Sequence, residues 1–192
     1  MKTSWKDQFE PGSQVYFCYG RLSNRMMLLR YGCALEHNKY EHVYMKMAYF
    51  KPLKSSTWMI TKLQECRMSR FMRFKLKRME MNSSFLNYFK GLSFSIKKHN
   101  PRDLAFPTDI DLEIRGLERM IDHLEKFLES FKISPEENKK TLMDPKSSYY
   151  DYFAAVYRLE RQRVVKFHLK AYEVLLEILN RVSEGVDVVE AQ

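Results

Sequence analysis

Two tyrosines stand directly before glycines in the segment Gln14–Gly32, QVYFCYGRLSNRMMLLRYG: Tyr19 before Gly20, and Tyr31 before Gly32. A phenol with a pKa near 10 stays neutral at physiological pH, can donate one hydrogen bond and offers oxygen lone pairs. Judged on composition alone, both rings read as aromatic core in a strand–turn–helix unit. A second candidate is Arg67–Arg78, RMSRFMRFKLKR, which interleaves cations with aromatics as single-strand nucleic-acid binders do. The strict alternation of Met72–Lys77 equally describes a half-buried strand, with Arg73, Lys75 and Lys77 on one solvent face. The strand is the preferred reading, because no RRM, OB or helix-turn-helix pattern accompanies the stretch.

Other chemistries lack their residues. The five histidines form no HxxxH or HExxH pair, so no metal site is expected and His123 reads as a helix-surface residue. Neither GxGxxG nor GxxxxGK[ST] nor GxSxG occurs. The twelve methionines suit adaptable core filling. Cys18, Cys33 and Cys66 are odd in number and without CxxC spacing, which argues against a disulfide framework and fits the cytoplasm or nucleus.

With 192 residues, 45% hydrophobic and 14% aromatic, the chain suits one domain, or a small piece plus one domain, with a real core. No apolar run approaches the roughly 20 residues that span a bilayer, and MKTSWKDQFEPG has no signal-peptide apolar region. The net charge of +9 is uneven: residues 1–100 carry +13 and residues 101–192 carry −4. A basic first half implies an acidic partner or nucleic acid, or simply a solvated face.

The elements that must position the tyrosines are short. Glu10-Pro11-Gly12-Ser13 is a turn, and Val15–Tyr19 is a strand apolar on both faces. Ser23 can cap a brief helix with body Met26–Leu29, and Gly32 stands where a left-handed C-terminal residue belongs. His42–Met47 reads as another strand. Helices are expected at Thr57–Ser69, from Ser83 or Ser84 to about Lys98, and at Thr108–Phe131, where Ile110, Ile114, Leu117, Ile121, Leu124 and Leu128 recur and Thr108 with Asp111 approximates a capping box. Ser134-Pro135-Glu136-Glu137 is a full helix start, and a last helix spans about Ser148–Asn180 with Phe153, Val156, Leu169, Tyr172, Leu176 and Leu179 inward.

The order Tyr19-Gly20, Ser23-Asn24, Leu28-Leu29, Tyr31-Gly32, Glu36-His37-Asn38 resembles the end of the SET domain in the Rubisco large-subunit methyltransferase-like class, which includes protein-lysine methyltransferases and the actin-histidine methyltransferase. SFLNYFKGL at 84–92, ISPEENKKTL at 133–142 and YRLERQ at 157–162 are similar to stretches of that class's helical substrate-binding domain. The resemblance implies a mainly α fold: the end of a SET domain over 1–50, a short β-rich remnant, then an all-helical substrate-binding bundle over 51–188. It implies Tyr19 as the catalytic tyrosine, Tyr31 as a wall of the channel for the target side chain, and Cys33 at a cofactor-binding position where the family usually has Phe. The cofactor implied is S-adenosylmethionine. The family's GxG loop and Asn-His motif do not occur in these residues. The expectation is therefore the C-terminal part of a protein-lysine N-methyltransferase, missing the N-terminal SET portion, with a protein substrate (an acidic one, given the basic half) and neither nucleic acid nor membrane as partner. The alternatives are a truncated, catalytically silent interaction module and, behind it, a protein-histidine methyltransferase.

Overall fold

The computed structural model describes residues 12, 20–48, 71–78, 80–93, 107 and 109–185. Those residues are mainly helical with a small β part. The order is α1 (Asn24–Tyr31), β1 (His42–Ala48), β2 (Phe71–Lys77), α2 (Ser83–Ser93), α3 (Ile110–Glu129), α4 (Pro135–Met143) and α5 (Tyr149–Ser183). The strand expected at Val15–Tyr19, the helix expected at Thr57–Ser69 and the end of the helix expected near Lys98 lie outside the described residues.

Strands β1 and β2 pair antiparallel, with Val43 opposite Leu76 and Met45 opposite Phe74. These four side chains are buried, whereas Tyr44, Lys46, Arg73, Lys75 and Lys77 on the other face are exposed. That division is why the sequence alternates. A two-stranded ribbon is marginal alone, and this one leans on helices: the Phe74 ring lies 5.3 Å from Phe85 and 5.5 Å from Tyr88 of α2, and α5 packs behind both strands. The pairing joins residues on either side of position 50.

Capping refines two helix starts. Asn82, one residue ahead of the expected serines, caps α2 by accepting the Phe85 N–H at 3.1 Å. Asp109, not Thr108, caps α3 by accepting from Leu112 N–H at 3.0 Å. The capping box at Ser134 and Glu137 forms as expected, and Ser148 caps α5. In α3, Leu117, Met120 and Leu124 enter the core with Val164, Val165 and Tyr172 of α5. Ile110, expected inward, is 36% exposed, and Leu112, at 0% exposed, is the apolar residue that the first turn of α3 buries instead. In α5, Val156 and Tyr172 are buried as expected, and Phe153, Leu169, Leu176 and Leu179 are partly so.

Helices α2 and α3 approach closely at Gly116, where an added Cβ would lie 2.7 Å from Lys90 Cγ and 3.2 Å from its backbone N. Beside that contact the Lys90 ammonium meets the Glu113 carboxylate, with side chains only 3% and 7% exposed. Among the described residues no helix is long and apolar enough to cross a membrane.

Candidate functional site

The unit that carries the tyrosine motif is built around buried amides. Gly20 and Gly32, the glycines of the two Tyr-Gly pairs, have φ of 98° and 69°, so both sit in the left-handed region. Gly32 ends α1 by donating its N–H to Leu28 O at 3.1 Å. Ser23 stands at the N-cap position, but its side chain makes no capping bond. Glu41, 17 residues beyond Asn24, accepts the Asn24 N–H with Oε2 at 3.0 Å, placing a carboxylate on the helix N-terminus. Glu41 Oε1 accepts the His42 N–H at 2.9 Å. Burial pushes the Glu41 pKa above the ordinary carboxylate value, and these two N–H donors oppose the push.

Asn24 works like a short strand. Its Nδ2 donates to Leu35 O at 2.8 Å and its Oδ1 accepts from Leu35 N at 3.0 Å. Asn38 adds a third bond to Asn24 Oδ1 and donates to Leu22 O at 2.9 Å, while its Oδ1 takes the Tyr40 N–H. Both asparagines are buried with their donors and acceptors used, so their contribution is the shape of the loop.

Helix α5 holds this unit in place. The buried carboxylate of Glu160 accepts the His37 N–H at 2.9 Å, the Arg78 guanidinium at 3.3 Å, and Arg163 from its own helix. His37 takes a positive φ of 54° to present that N–H. Tyr152 donates its hydroxyl to Glu36 at 3.0 Å, and this bond, the largest cause, raises the Tyr152 pKa.

The structure places two of the three sequence-derived site residues at one end of α1. Tyr31 occupies the last turn and is 43% exposed. Cys33 follows Gly32 with a free, half-buried thiol. Tyr19 lies outside the described residues. Apolar residues on the same unit are also open, Leu29 at 69% and Leu35 at 54%.

Sequence reading missed a second feature. A polar cleft of about 350 Å³ opens where the loops flanking α1 meet the end of the ribbon, lined by Arg21, Lys39, His42, Lys75, Lys77 and Arg78 together with Tyr40, Glu41 and Glu80. Lys75, Lys77 and Arg78 belong to the basic stretch; Arg21 and Lys39 to His42 arrive from two other segments, so the cleft leaves no local period. His42 Nδ1 contacts Tyr40 O at 3.2 Å, and since a carbonyl only accepts, Nδ1 carries the proton. Burial first, then the neighbouring Lys75, Arg25 and Lys77 charges, hold the His42 pKa below its ordinary value, against the opposing Tyr40 bond.

His123 faces Phe89 at a centroid distance of 5.5 Å and is half-buried, so it belongs to the α2–α3 seam rather than to an open helix surface. Among the described residues no group of three or more His, Cys, Asp or Glu side chains could hold a metal ion. No protein-family model matches the chain, and no curated protein matches it either.

Proposed function

We propose that these residues are the C-terminal portion of a SET-type protein-lysine N-methyltransferase, with the end of the catalytic fold followed by a helical body that recognises the protein substrate. One observation supports this reading above the others. The residues that carry the resemblance are the ones on which the local fold depends: Asn24 and Asn38 buried at its centre, Gly20 and Gly32 in left-handed conformations, and Tyr31 left partly exposed. An aromatic-core role would bury Tyr31, whereas it is 43% exposed.

In this reading S-adenosylmethionine supplies an electrophilic methyl group when bound. The chain's part is to orient the amine. Tyr19, a neutral phenol, offers lone pairs and a hydrogen bond to it, and Tyr31 walls the channel through which it enters. The described residues do not fit the cofactor by themselves, since Cys33 is a single half-buried thiol and no other matched cofactor position falls among them. The 192-residue chain alone is therefore expected to bind S-adenosylmethionine more weakly than about 10 μM, about −7 kcal/mol. The compartment we infer is cytoplasmic or nuclear, in keeping with the free thiol of Cys33.

The test uses a polypeptide containing these residues together with a GxG loop and an Asn-His motif. It is expected to transfer labelled methyl to protein lysine, and Tyr19→Phe is expected to lose most of kcat with an unchanged circular dichroism spectrum. Equal turnover by the Phe variant would return Tyr19 to the aromatic core. The poor cofactor fit also favours a second reading, a catalytically silent protein-interaction module that keeps the helical body. Absent methyl transfer by the parent polypeptide, with a folded helical body, selects that reading.

A further inference from the structure

We propose that the cleft between the α1 loops and the ribbon binds a phosphoryl dianion carried on a side chain of a protein partner, held by Arg21, Lys39 and Lys75. The inference rests on the reading above only in taking the bearer to be a protein; the cleft itself needs no methyl transfer.

Three features point to an anion. First, the cations in the cleft divide into two kinds. Lys77 is engaged by both oxygens of Glu80, at 2.8 and 2.6 Å, and Arg78 by Glu160 at 3.3 Å. Arg21, Lys39 and Lys75 have no carboxylate partner among the described residues; Lys39 only lies over the Tyr40 ring, 5.2 Å from its centroid. Second, neither carboxylate of the cleft can neutralise them. Glu41 is 1% exposed with each oxygen already accepting a backbone N–H, and Glu80 is committed to Lys77. Third, the three uncommitted cations come from positions 21, 39 and 75 and converge only through the fold. Like charges brought together without a counterion repel one another, and the cost is recovered when an anion enters.

The size and charge of the cleft narrow the ligand. At about 350 Å³ it stands at the small end of ligand pockets, with room for a modified side chain and little beyond it. A phosphorylated hydroxyl brings a charge of about −1.5 to −2 and three strong acceptor oxygens, a better match to three cations than the single charge of Asp or Glu. The guanidinium of Arg21 can meet two of those oxygens at once. A nucleic acid would instead ask for cations along an extended track, and the chain beyond residue 100 carries a net −4. Tyr40 and Tyr44 border the site, and Tyr44, 49% exposed beside Lys75, offers a surface for residues flanking the phosphate.

The experiment uses the full 192-residue chain and four probes: inorganic phosphate, an alanine–glycine heptapeptide with one central phosphoserine, its unphosphorylated form, and a single-stranded oligoribonucleotide. Each is titrated by calorimetry and by NMR of the His42 ring, against sodium chloride at matched ionic strength. Phosphate and phosphopeptide are expected to move the His42 resonances and raise its pKa, because an anion reverses the cationic environment. The phosphopeptide is expected to bind at least about tenfold tighter than its unphosphorylated form. The double variant Arg21→Gln, Lys75→Gln is expected to lose at least about tenfold in that affinity at an unchanged or raised melting temperature, and Lys166→Gln, Lys170→Gln on α5 to lose none. Equal binding of the two peptides, a response no larger than that to chloride, or insensitivity to the cleft variant would each overturn the proposal. Oligoribonucleotide binding tighter than phosphopeptide binding, and lost in the same variant, would overturn it in favour of a nucleic-acid site. Failure of methyl transfer in the enzymatic test leaves these binding results standing on their own.

Discussion

Replacing Glu113 by Gln should cost the protein a large share of its stability. Lys90 on α2 and Glu113 on α3 form an ion pair with side chains 3% and 7% exposed, at the point where Gly116 lets the two helices approach. Glutamine keeps the size of the side chain and its carbonyl acceptor, but removes the negative charge that compensates a buried ammonium. Breaking a buried pair from one side typically costs about 3–5 kcal/mol, whereas the two ions together often contribute little compared with apolar residues of the same volume. Against a typical domain stability of about 5–15 kcal/mol, the single change is severe. With a urea m-value of about 2 kcal/mol per molar, the unfolding midpoint should fall by about 1.5–2.5 M. The double variant Lys90→Met, Glu113→Leu should recover most or all of that loss. The assay is urea unfolding of both variants and of Lys90→Met alone, followed by circular dichroism, with the coupling read from the cycle. A Glu113→Gln cost below about 1 kcal/mol, or a double variant no better than the single, would refute the reasoning, because it would mean that water reaches the ammonium.

Three further outcomes follow from the same geometry. Gly116→Ala should be destabilising by about 1–2 kcal/mol despite Ala's better helix propensity, since its Cβ meets Lys90 Cγ at 2.7 Å and the Lys90 backbone at 3.2–3.3 Å; a raised melting temperature would contradict this. Asn24→Ala strands both the N–H and C=O of Leu35 and should cost about 3 kcal/mol, with faster amide exchange at Leu35 as its signature; an unchanged exchange rate there would count against the clasp. Burial holds the His168 pKa below its ordinary value, with its bond to Lys77 O at 2.8 Å opposing the shift. The folded state therefore binds fewer protons than the unfolded one, and stability falls as pH drops below about 6.5, by up to about 1.4 kcal/mol per pH unit for one such group. His168→Gln keeps a donor for that carbonyl and should flatten the melting-temperature profile between about pH 7.5 and 5.5, while His42 and His123, lowered in both proteins, leave a common residual slope. Parallel profiles would rule His168 out.

What could be read from the sequence was whatever repeats or sits within one turn. The strands announced themselves because their two faces meet different surroundings, and α3 because Leu117 and Leu124 must reach the same core. The capping box at Ser134 is closed within four residues, so it too was legible. Where neighbouring residues compete for one role, as Asn82, Ser83 and Ser84 do, the choice depends on which register turns Phe85 inward, and that is a property of the core. Polar partnerships between distant residues left no trace at all. Glu41 serves Asn24 from 17 positions away, Lys90 finds Glu113 across 23, and Arg21, Lys39 and Lys75 meet only in the folded chain. Of the candidate site, the tyrosine motif was readable as a string, but its dependence on Glu41 and Glu160 was not.

The reach of Glu160 has a consequence for how the molecule is made. Its bond to His37 closes a separation of 123 residues, whereas Gln162, one half-turn on, reaches Ile133 across only 29. Loop closure makes the longer link about 1.3 kcal/mol less favourable to initiate, so the α3–α4–α5 body is expected to gather first and the α1 unit to dock onto it afterwards. On the ribosome the delay is longer still. The segment around Tyr31 emerges ahead of α5, and the carboxylate that fastens its loop is synthesised about 6–25 s later at ordinary elongation rates. Throughout that interval Met27 and Ala34, buried in the finished fold, have no folded body beside them, and the nascent chain presents them to whatever the exit tunnel opens onto.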